Sequence, residues 1–303
     1  RLREQLLVRA AVAQGLGPAA LAAVGQAQHV AVGMAGDTVL LRTRDDLALA
    51  HGETFLAGGS WLMSQPQPHV SGFVDLTGLG WDEVHADETG LRIGATCTIA
   101  RLVAGAERLL SFRPEWQALR IVPDAANALL GSFKIWNTAT VGGNICRGFA
   151  AGAMTTLAVA LDAVAEVWMP DGTAYRLPVA DVVTGNGTTM LGRGEVLRAV
   201  HVPAAALRAR AALRKIALAE HGRSGAVVTG RVHPGGSSVF TVTAATEAPT
   251  VLRFASTPTP AVLDTAVAAA PRYYSDPLGA ADWRRGVSRV LAGRVLADLV
   301  EAA

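Results

Sequence analysis

A short run of alternating elements early in the chain limits the folds available to it. Residues 39–42 have a strand pattern, residues 43–50 resemble a capped helix start, and residues 54–57 form a second strand pattern ending at Gly58 and Gly59. Two strands joined by a helix over so few residues predict a βαβ unit with parallel strands. Open α/β sheets bind ligands at the carboxyl ends of their strands, so this glycine pair marks a candidate site.

The remaining sequence predicts an α+β fold in three lobes without internal repeats. We expect a helical extension over residues 1–33, a small βαβ lobe over 34–80, a larger mixed lobe over 81–203, and a C-terminal antiparallel sheet with helices over 204–303. The predicted helices cover residues 2–14, 19–24, 99–110, 115–130, 153–162, 261–269 and 283–300. The further predicted strands cover residues 73–76, 91–94, 164–169, 174–177, 211–218, 226–232, 239–243 and 250–254.

Composition excludes several classes of function. Half of the 303 residues are hydrophobic and 17% are charged, which excludes intrinsic disorder. The net charge is +2 with scattered Lys and Arg, so nucleic acid is not expected as a partner. Residues 149–161, the longest uncharged stretch near the middle, are too short for a membrane span, and we expect no signal peptide. The sparse charge predicts that other chains cover part of the surface.

The cysteine and histidine patterns predict neither a metal centre nor a catalytic side chain in this chain. Cys97 and Cys146 lie 49 residues apart without a Cys-x-x-Cys pair, which excludes a zinc ribbon and a four-thiolate cluster. We expect two reduced thiols in a cytoplasmic protein. The seven histidines are dispersed, and the sequence has no H-E-x-x-H, P-loop or G-x-S-x-G motif.

A first glycine motif, Gly15-x-Gly17-x-x-Ala20, fits the loose dinucleotide fingerprint, with Asp37 where a ribose-binding acid would stand. Its context does not fit, because a helical pattern precedes it and Pro18 removes an N–H where the pyrophosphate would bind. We therefore predict a helix–turn–helix at this motif.

Two other glycine pairs have a suitable context. In residues 57–62 (A-G-G-S-W-L), consecutive glycines after a strand allow backbone N–H groups to converge on a diphosphate, although an ordinary strand-to-helix turn is the alternative. Residues 140–144 (T-V-G-G-N) give a second pair flanked by a hydroxyl and an amide. A diphosphate takes donors on two faces, so the two loops together predict one elongated ligand held from both sides.

Together these motifs closely resemble the FAD-binding subunit or domain of the molybdenum hydroxylases, which include the carbon monoxide dehydrogenase medium subunit and the xanthine dehydrogenase flavin domain. The resemblance covers about residues 38–300 and implies a two-lobed, PCMH-like FAD-binding fold. Further matches follow in the family's order at residues 73–76 (FVDL), 93–95 (IGA), 161–163 (LDA), 171–172 (DG), 194–197 (GEVL), 215 (K) and 282–291.

The resemblance implies that this chain binds FAD. The first loop would wrap the pyrophosphate and the second would close on it, while Leu197 packs on the flavin and Lys215 reaches its polar edge. Leu130 adjoins the flavin or adenine, or belongs to a helix core. The implied cofactor-binding residues are Phe55, Leu56, Ala57, Gly58, Gly59, Ser60, Trp61, Leu62, Leu130, Thr140, Val141, Gly142, Gly143, Asn144, Leu197 and Lys215.

The same resemblance implies partner chains. A large subunit would carry molybdopterin and a small subunit [2Fe–2S] clusters, and electrons would pass through those clusters to FAD here. The external acceptor would be O₂, NAD⁺ or a quinone. We expect residues 1–33, which exceed the family's usual start, to pack against a neighbouring subunit.

Two departures from the family's pattern keep other functions open. The family commonly has Arg where this chain has Trp136, and Asp where it has Ala153. Trp136 is expected either to pack at a lobe interface or to stack on an aromatic ring. The lost polar groups motivate a flavin-free scaffold or maturation subunit as the alternative, and a flavin oxidase acting alone is a third hypothesis.

Overall fold

The structure is a computed structural model that describes residues 37–40, 43–128, 133–219 and 222–301. The helices expected over residues 2–14 and 19–24, and with them the N-terminal extension, lie outside the described residues, as does Leu130. Within the described part, no helix is long and apolar enough to cross a lipid bilayer.

The small lobe is a three-stranded parallel sheet. It contains β1 (Asp37–Leu40), β2 (Glu53–Leu56) and β3 (Gly72–Asp75), with β3 between the other two. The prediction of parallel strands is confirmed, but the helix expected over residues 43–50 is only a 3-10 turn, Arg44–Asp46. The Asp46 carboxylate accepts hydrogen bonds from the backbone N–H and the hydroxyl of Thr43, both at 2.9 Å, and this local closure completes the turn.

A five-stranded antiparallel sheet forms one side of the second lobe, in the order β4-β5-β10-β6-β7. Within this sheet, β6 alternates between buried residues, which are Ala165 and Val167, and partly exposed ones, whereas β5 and β10 are mostly buried. A two-stranded hairpin, β8 with β9, lies beside it. The strands are β4 (Val84–Ala86), β5 (Gly90–Gly94), β6 (Val164–Trp168), β7 (Ala174–Pro178), β8 (Val183–Gly185), β9 (Thr188–Thr189) and β10 (Val196–Pro203).

Helices cover the buried face of this sheet. Thr98 begins the first of them by accepting a hydrogen bond from the Arg101 N–H at 3.2 Å. The single helix expected over residues 115–130 is wrong: a 3-10 turn (Gln117–Ile121) precedes a short helix, because Pro123 lacks an N–H and suits a first helical turn. The helices are α1 (Ile99–Phe112), α2 (Val122–Asn127), α3 (Phe133–Thr138), α4 (Val141–Cys146), α5 (Ala153–Ala160), α6 (Val179–Val182) and α7 (Ala204–Leu207).

The C-terminal part is the predicted antiparallel sheet with helices. The strands β11 (Arg210–Ala217), β12 (Ser224–Val232), β13 (Ser238–Thr243) and β14 (Thr250–Phe254) follow one another in space as in sequence. Two helices, α8 (Pro260–Ala268) and α9 (Ala281–Glu301), pack together and contribute Val267 and Val295 to its core. Both central strands are buried throughout, since α9 and α5 each contact β12.

A buried arginine joins the last helix to this sheet. Arg284 is fully buried and donates hydrogen bonds to the carbonyl oxygens of Gly225, Ala244 and Gly279 and to the carboxylate of Asp276. Its guanidinium also lies 4.1 Å from the centre of the Tyr274 ring. The charge is therefore fully compensated inside the C-terminal part.

Two arginine contacts hold the small lobe on the second lobe. Arg44 donates hydrogen bonds to the carbonyl oxygens of Gly172 and Thr173, and its guanidinium lies 4.1 Å from the centre of the Trp168 ring. Arg193 donates to the carbonyl oxygen of Ala50 at 2.6 Å. These contacts fix the position of the first glycine loop relative to the second lobe.

Candidate functional site

A cavity of about 560 Å³ lies between the small lobe and the second lobe. Its volume falls within the range of small-molecule and cofactor sites. The structure brings most of the predicted cofactor-binding residues to it. Those lining the cavity are Phe55, Ala57, Gly58, Gly59, Ser60, Trp61, Leu62, Thr140, Gly142, Gly143, Asn144 and Leu197.

The first glycine loop lies directly against the backbone that leads into the second. A Cβ atom added at Gly58 would lie 1.7 Å from the carbonyl oxygen of Thr138, so no side chain fits there. Gly59 has φ +67°, a left-handed conformation that glycine adopts without strain. Glycine is therefore required at position 58 by the close approach between the two lobes, and it is favoured at position 59 by the backbone conformation.

The first loop presents free hydrogen-bond donors. Among the described residues, the backbone N–H groups of residues 58–62 and the hydroxyl of Ser60 donate to no protein group. Consecutive unpaired amides that line a cavity form a concave anion-binding surface. Thr96 also lines the cavity, and its buried hydroxyl has no partner in the described part of the chain.

The backbone N–H groups of the second loop already donate hydrogen bonds to other groups of the protein. Thr140 caps α4, and Gly142 packs so tightly that an added Cβ would lie 2.6 Å from the Ala95 Cβ. The N–H groups of Val141, Gly142 and Asn144 donate to the carbonyl oxygens of Cys97 (2.8 Å), Ala95 (2.9 Å) and Thr140 (3.0 Å), respectively. The Gly143 N–H donates to the Thr140 Oγ1 at 3.1 Å.

Asn144 holds the start of α5. Its Oδ1 accepts a hydrogen bond from the Met154 N–H at 2.8 Å, while the described residues offer its side-chain amide donors no partner. Ala153, where the family commonly has Asp, is buried in the first turn of this helix. Trp136 packs, partly buried, against the core of the second lobe and does not line the cavity.

Three predicted site residues lie elsewhere, and a fourth cannot be placed because it falls outside the described residues. Leu56 and Val141 have side chains buried in the interior, and Leu130 falls outside the described residues. Lys215 lies on β11, where its Nζ donates to the Asn127 carbonyl oxygen at 2.6 Å, and it does not line the cavity. The proposed contact of Lys215 with the flavin stays a prediction.

Sequence reasoning missed an arginine held between two aromatic rings. The Arg147 guanidinium lies 3.8 Å from the centre of the Trp61 ring and 3.9 Å from that of Phe149, and all three side chains line the cavity. Burial lowers the pKa of Arg147. The available signal was its spacing four residues after Gly143, which places both residues on one face of a helix.

The two cysteine residues differ in exposure, although burial of the thiol raises the pKa of each to about 12. Both are free; Cys97 is buried in the second lobe, and burial raises its pKa to about 12. Cys146 is exposed and lines the cavity. Among the described residues, no group of three or more His, Cys, Asp or Glu side chains is arranged to hold a metal ion.

Comparisons with known proteins point to one family. Residues 40–205, more than half of the chain, match the family described as "FAD binding domain in molybdopterin dehydrogenase". The xanthine dehydrogenase FAD-binding subunit of Escherichia coli O157:H7 is 30% identical over 157 residues, and a putative counterpart from Escherichia coli strain K12 is equally similar. Each match covers 49% of this chain and 49% of the relative, so the chain matches about half the length of those relatives.

Solved structures share the fold over most of the chain. Reconstituted CO dehydrogenase from Oligotropha carboxidovorans superposes with a TM-score of 0.77 at 23% identity, covering 88% of this chain and 98% of that one. Quinoline 2-oxidoreductase from Pseudomonas putida 86 gives a TM-score of 0.73 at 18% identity, covering 88% and 97%. The predicted fold class is therefore confirmed.

Proposed function

Because the chain belongs to the family of FAD binding domains in molybdopterin dehydrogenases, we propose that it is the FAD-carrying electron-transfer subunit of a heteromeric molybdenum hydroxylase or dehydrogenase. The observation that carries the proposal is a run of amides at residues 58–62 that have no partner in the described part of the chain and belong to the wall of a cavity closed on its other side by the second glycine loop. An anionic, elongated ligand suits this arrangement.

FAD fits the residues that are present. The amides of residues 58–62 and the Ser60 hydroxyl supply donors for its diphosphate, and Gly58 leaves the surface free of a side chain. Phe55, Leu191 and Leu197 supply apolar surface in the same cavity for a planar ring. The side-chain amide of Asn144 adds hydrogen-bond donors from the second lobe.

The protein's own residues bind and orient the cofactor. FAD supplies the electron-transfer chemistry when it is bound, and the protein sets its position and electrostatic surroundings. The small lobe contributes the diphosphate donors, and the second lobe contributes the opposite wall, including Leu197 at the start of β10. The Arg44 and Arg193 contacts between the lobes keep these two walls in register. No side chain here is assigned an acid–base role.

The proposal includes two partner chains and an external acceptor. Electrons would come from [2Fe–2S] clusters in a small iron–sulfur subunit, which receives them from molybdopterin in a large subunit, and would leave FAD for the acceptor. The similarity to CO dehydrogenase and quinoline 2-oxidoreductase supports this assembly. A cytoplasmic location of the complex belongs to the same proposal.

The direct test is to purify the full chain and to identify any flavin that denaturation releases. We expect an oxidised flavin spectrum, released FAD rather than FMN, and one FAD per chain. The native complex should contain molybdenum, iron and FAD together, which metal analysis and subunit stoichiometry measure. A colourless chain that does not bind added FAD would contradict the proposal and favour the flavin-free scaffold. Substrate oxidation by the isolated chain would favour the independent oxidase.

A further inference from the structure

The charged side chains that line the cavity differ in the hydrogen bonds that they already make within the protein. Among the described residues these are Glu53, Arg147, Arg193 and Glu195. Glu53 accepts a hydrogen bond from the Ala50 N–H at 2.7 Å, and Arg193 donates to the carbonyl of that residue at 2.6 Å. Glu195 accepts from an amide of its own turn and from a tyrosine hydroxyl, both at 2.8 Å. Arg147 is the exception.

Within the described ranges, Arg147 has aromatic neighbours but no counter-ion. Its guanidinium lies against both the Trp61 and the Phe149 ring. The two rings are arranged edge to face, with their centres 6.2 Å apart. Among the described residues, its one polar contact is a long hydrogen bond to the Gly187 carbonyl oxygen at 3.4 Å, and its buried Nε has no partner there. In the described part of the chain, no carboxylate oxygen lies within 4.0 Å of it. A partly buried cation without a counter-ion is unfavourable unless a ligand supplies the anion.

The position of Arg147 places this charge beside both glycine loops. Its backbone N–H donates to the Gly143 carbonyl oxygen at 3.0 Å, so the two residues are one helical turn apart. Its side chain stacks on Trp61, two residues after Gly59 in the first loop. The guanidinium therefore lies where the small lobe and the second lobe meet.

The two loops also differ in what they can offer an anion. The amides of residues 58–62 are unpaired among the described residues, whereas those of residues 141–144 are already bonded within the protein. A diphosphate held by the first loop would receive few backbone donors from the second lobe. Arg147 supplies the missing donors and the compensating positive charge.

We propose that Arg147 is a cofactor-binding residue whose guanidinium neutralises the diphosphate of the dinucleotide, with Trp61 and Phe149 holding its plane. This inference rests on the proposed function, since it takes FAD as the occupant of the cavity. The two rings are inclined at 77° to each other, so they enclose the guanidinium in a corner, and a side chain fixed in advance loses less entropy on binding. Burial disfavours the charged form of Arg147 and so lowers its pKa, and a bound anion would offset that cost.

The test compares FAD with riboflavin, which lacks phosphate, on the full chain. Arg147→Met keeps an unbranched, polarizable side chain against the rings but removes the charge. We expect it to weaken FAD binding about 10- to 100-fold, the range for a hydrogen bond to a charged group, with riboflavin affinity unchanged. Flavin fluorescence titration measures both dissociation constants. Arg223→Met is the matched control, because Arg223 lies 6.0 Å from the same Phe149 ring but does not line the cavity.

The outcomes separate this inference from the proposed function. An Arg147→Met chain that binds FAD within twofold of the wild type, or that loses riboflavin affinity to the same extent as FAD affinity, overturns the role of Arg147 alone. A wild-type chain that binds neither flavin overturns the proposed function and the inference with it. Circular dichroism and thermal unfolding check the fold of each variant, and Arg147→Gln provides a second neutral variant if the methionine variant does not fold.

Discussion

Replacement of Gly58 by alanine tests whether the two glycine loops form one binding site. The added Cβ would lie 1.7 Å from the Thr138 carbonyl oxygen and 2.7 Å from its carbon. Both contacts are with backbone, which cannot rotate away as the end of a flexible side chain can. Since real Cβ contacts stay beyond 3.0 Å, the loop and the facing backbone must separate by at least the difference between 3.0 and 1.7 Å, which is 1.3 Å.

This displacement has two consequences that can be measured separately. Overpacking at a close contact costs typically about 1–3 kcal/mol of stability, so the free energy of unfolding should fall by that amount. The amides of residues 58–62 should also move relative to the second lobe, lengthening hydrogen bonds to a diphosphate beyond effective range. Loss of one charge-assisted hydrogen bond costs about 1.5–3 kcal/mol, so FAD binding should weaken by at least about tenfold.

The assay combines urea unfolding of the flavin-free chain with FAD titration by fluorescence. Gly235→Ala is the matched control, because an added Cβ at Gly235 meets nothing within 4 Å and its backbone is not left-handed. The control should change neither quantity. A Gly58→Ala chain with wild-type stability and wild-type FAD affinity would refute the inference that the approach of the two loops builds the site.

Three further predictions concern stability and thiol chemistry. Arg284→Met should lower the free energy of unfolding by about 3–5 kcal/mol in urea titration, because it leaves the Asp276 carboxylate and buried carbonyls uncompensated, and a loss below about 1 kcal/mol would contradict this. Burial raises the pKa of Asp162, but hydrogen bonds and charge from Arg253 and Arg231 outweigh burial and lower this pKa below 3.8. The ionised Asp162 therefore stabilises the folded chain above pH 3.8, and this contribution is lost as the pH falls through the lowered pKa. Asp162→Asn should therefore make the free energy of unfolding fall less steeply as the pH is lowered. An unchanged pH dependence would show that the Asp162 carboxylate does not contribute to it. Because burial raises the pKa of Cys97 to about 12, iodoacetamide at neutral pH should label Cys97 in the unfolded chain but not in the folded one, as peptide mass spectrometry would show.

The local features of the fold and of the first loop could be predicted from the sequence. A glycine pair directly after a strand predicts a positive φ and a close backbone approach. Gly59 has the positive φ, and Gly58 lies against the backbone of Thr138. Apolar runs bounded by turn residues predicted the strands of the C-terminal sheet. Both signals lie within a few residues of the feature they predict.

Features that depend on distant contacts could not be predicted in this way. Strand β3 lies between β1 and β2, and the sequences of the three strands do not by themselves specify which strands pair. The stacking of Arg147 on Trp61 joins residues from different lobes, and Lys215 bonds to a carbonyl 88 residues earlier. The use of the Val141 and Gly142 amides inside the protein likewise depends on the turn after β5, where Cys97 and Ala95 supply the carbonyl acceptors.

The arginine contacts that hold the small lobe on the second lobe have a thermodynamic consequence. A ligand that touches both lobes binds only their docked arrangement, so its binding free energy adds to that of docking. At a free concentration 100 times its dissociation constant, such a ligand contributes about 2.7 kcal/mol to the docked state. Weakening the Arg44 contact, which lies outside the cavity lining, should therefore reduce cofactor affinity from a distance, and cofactor loading should precede or accompany any assembly step that requires the lobes in register.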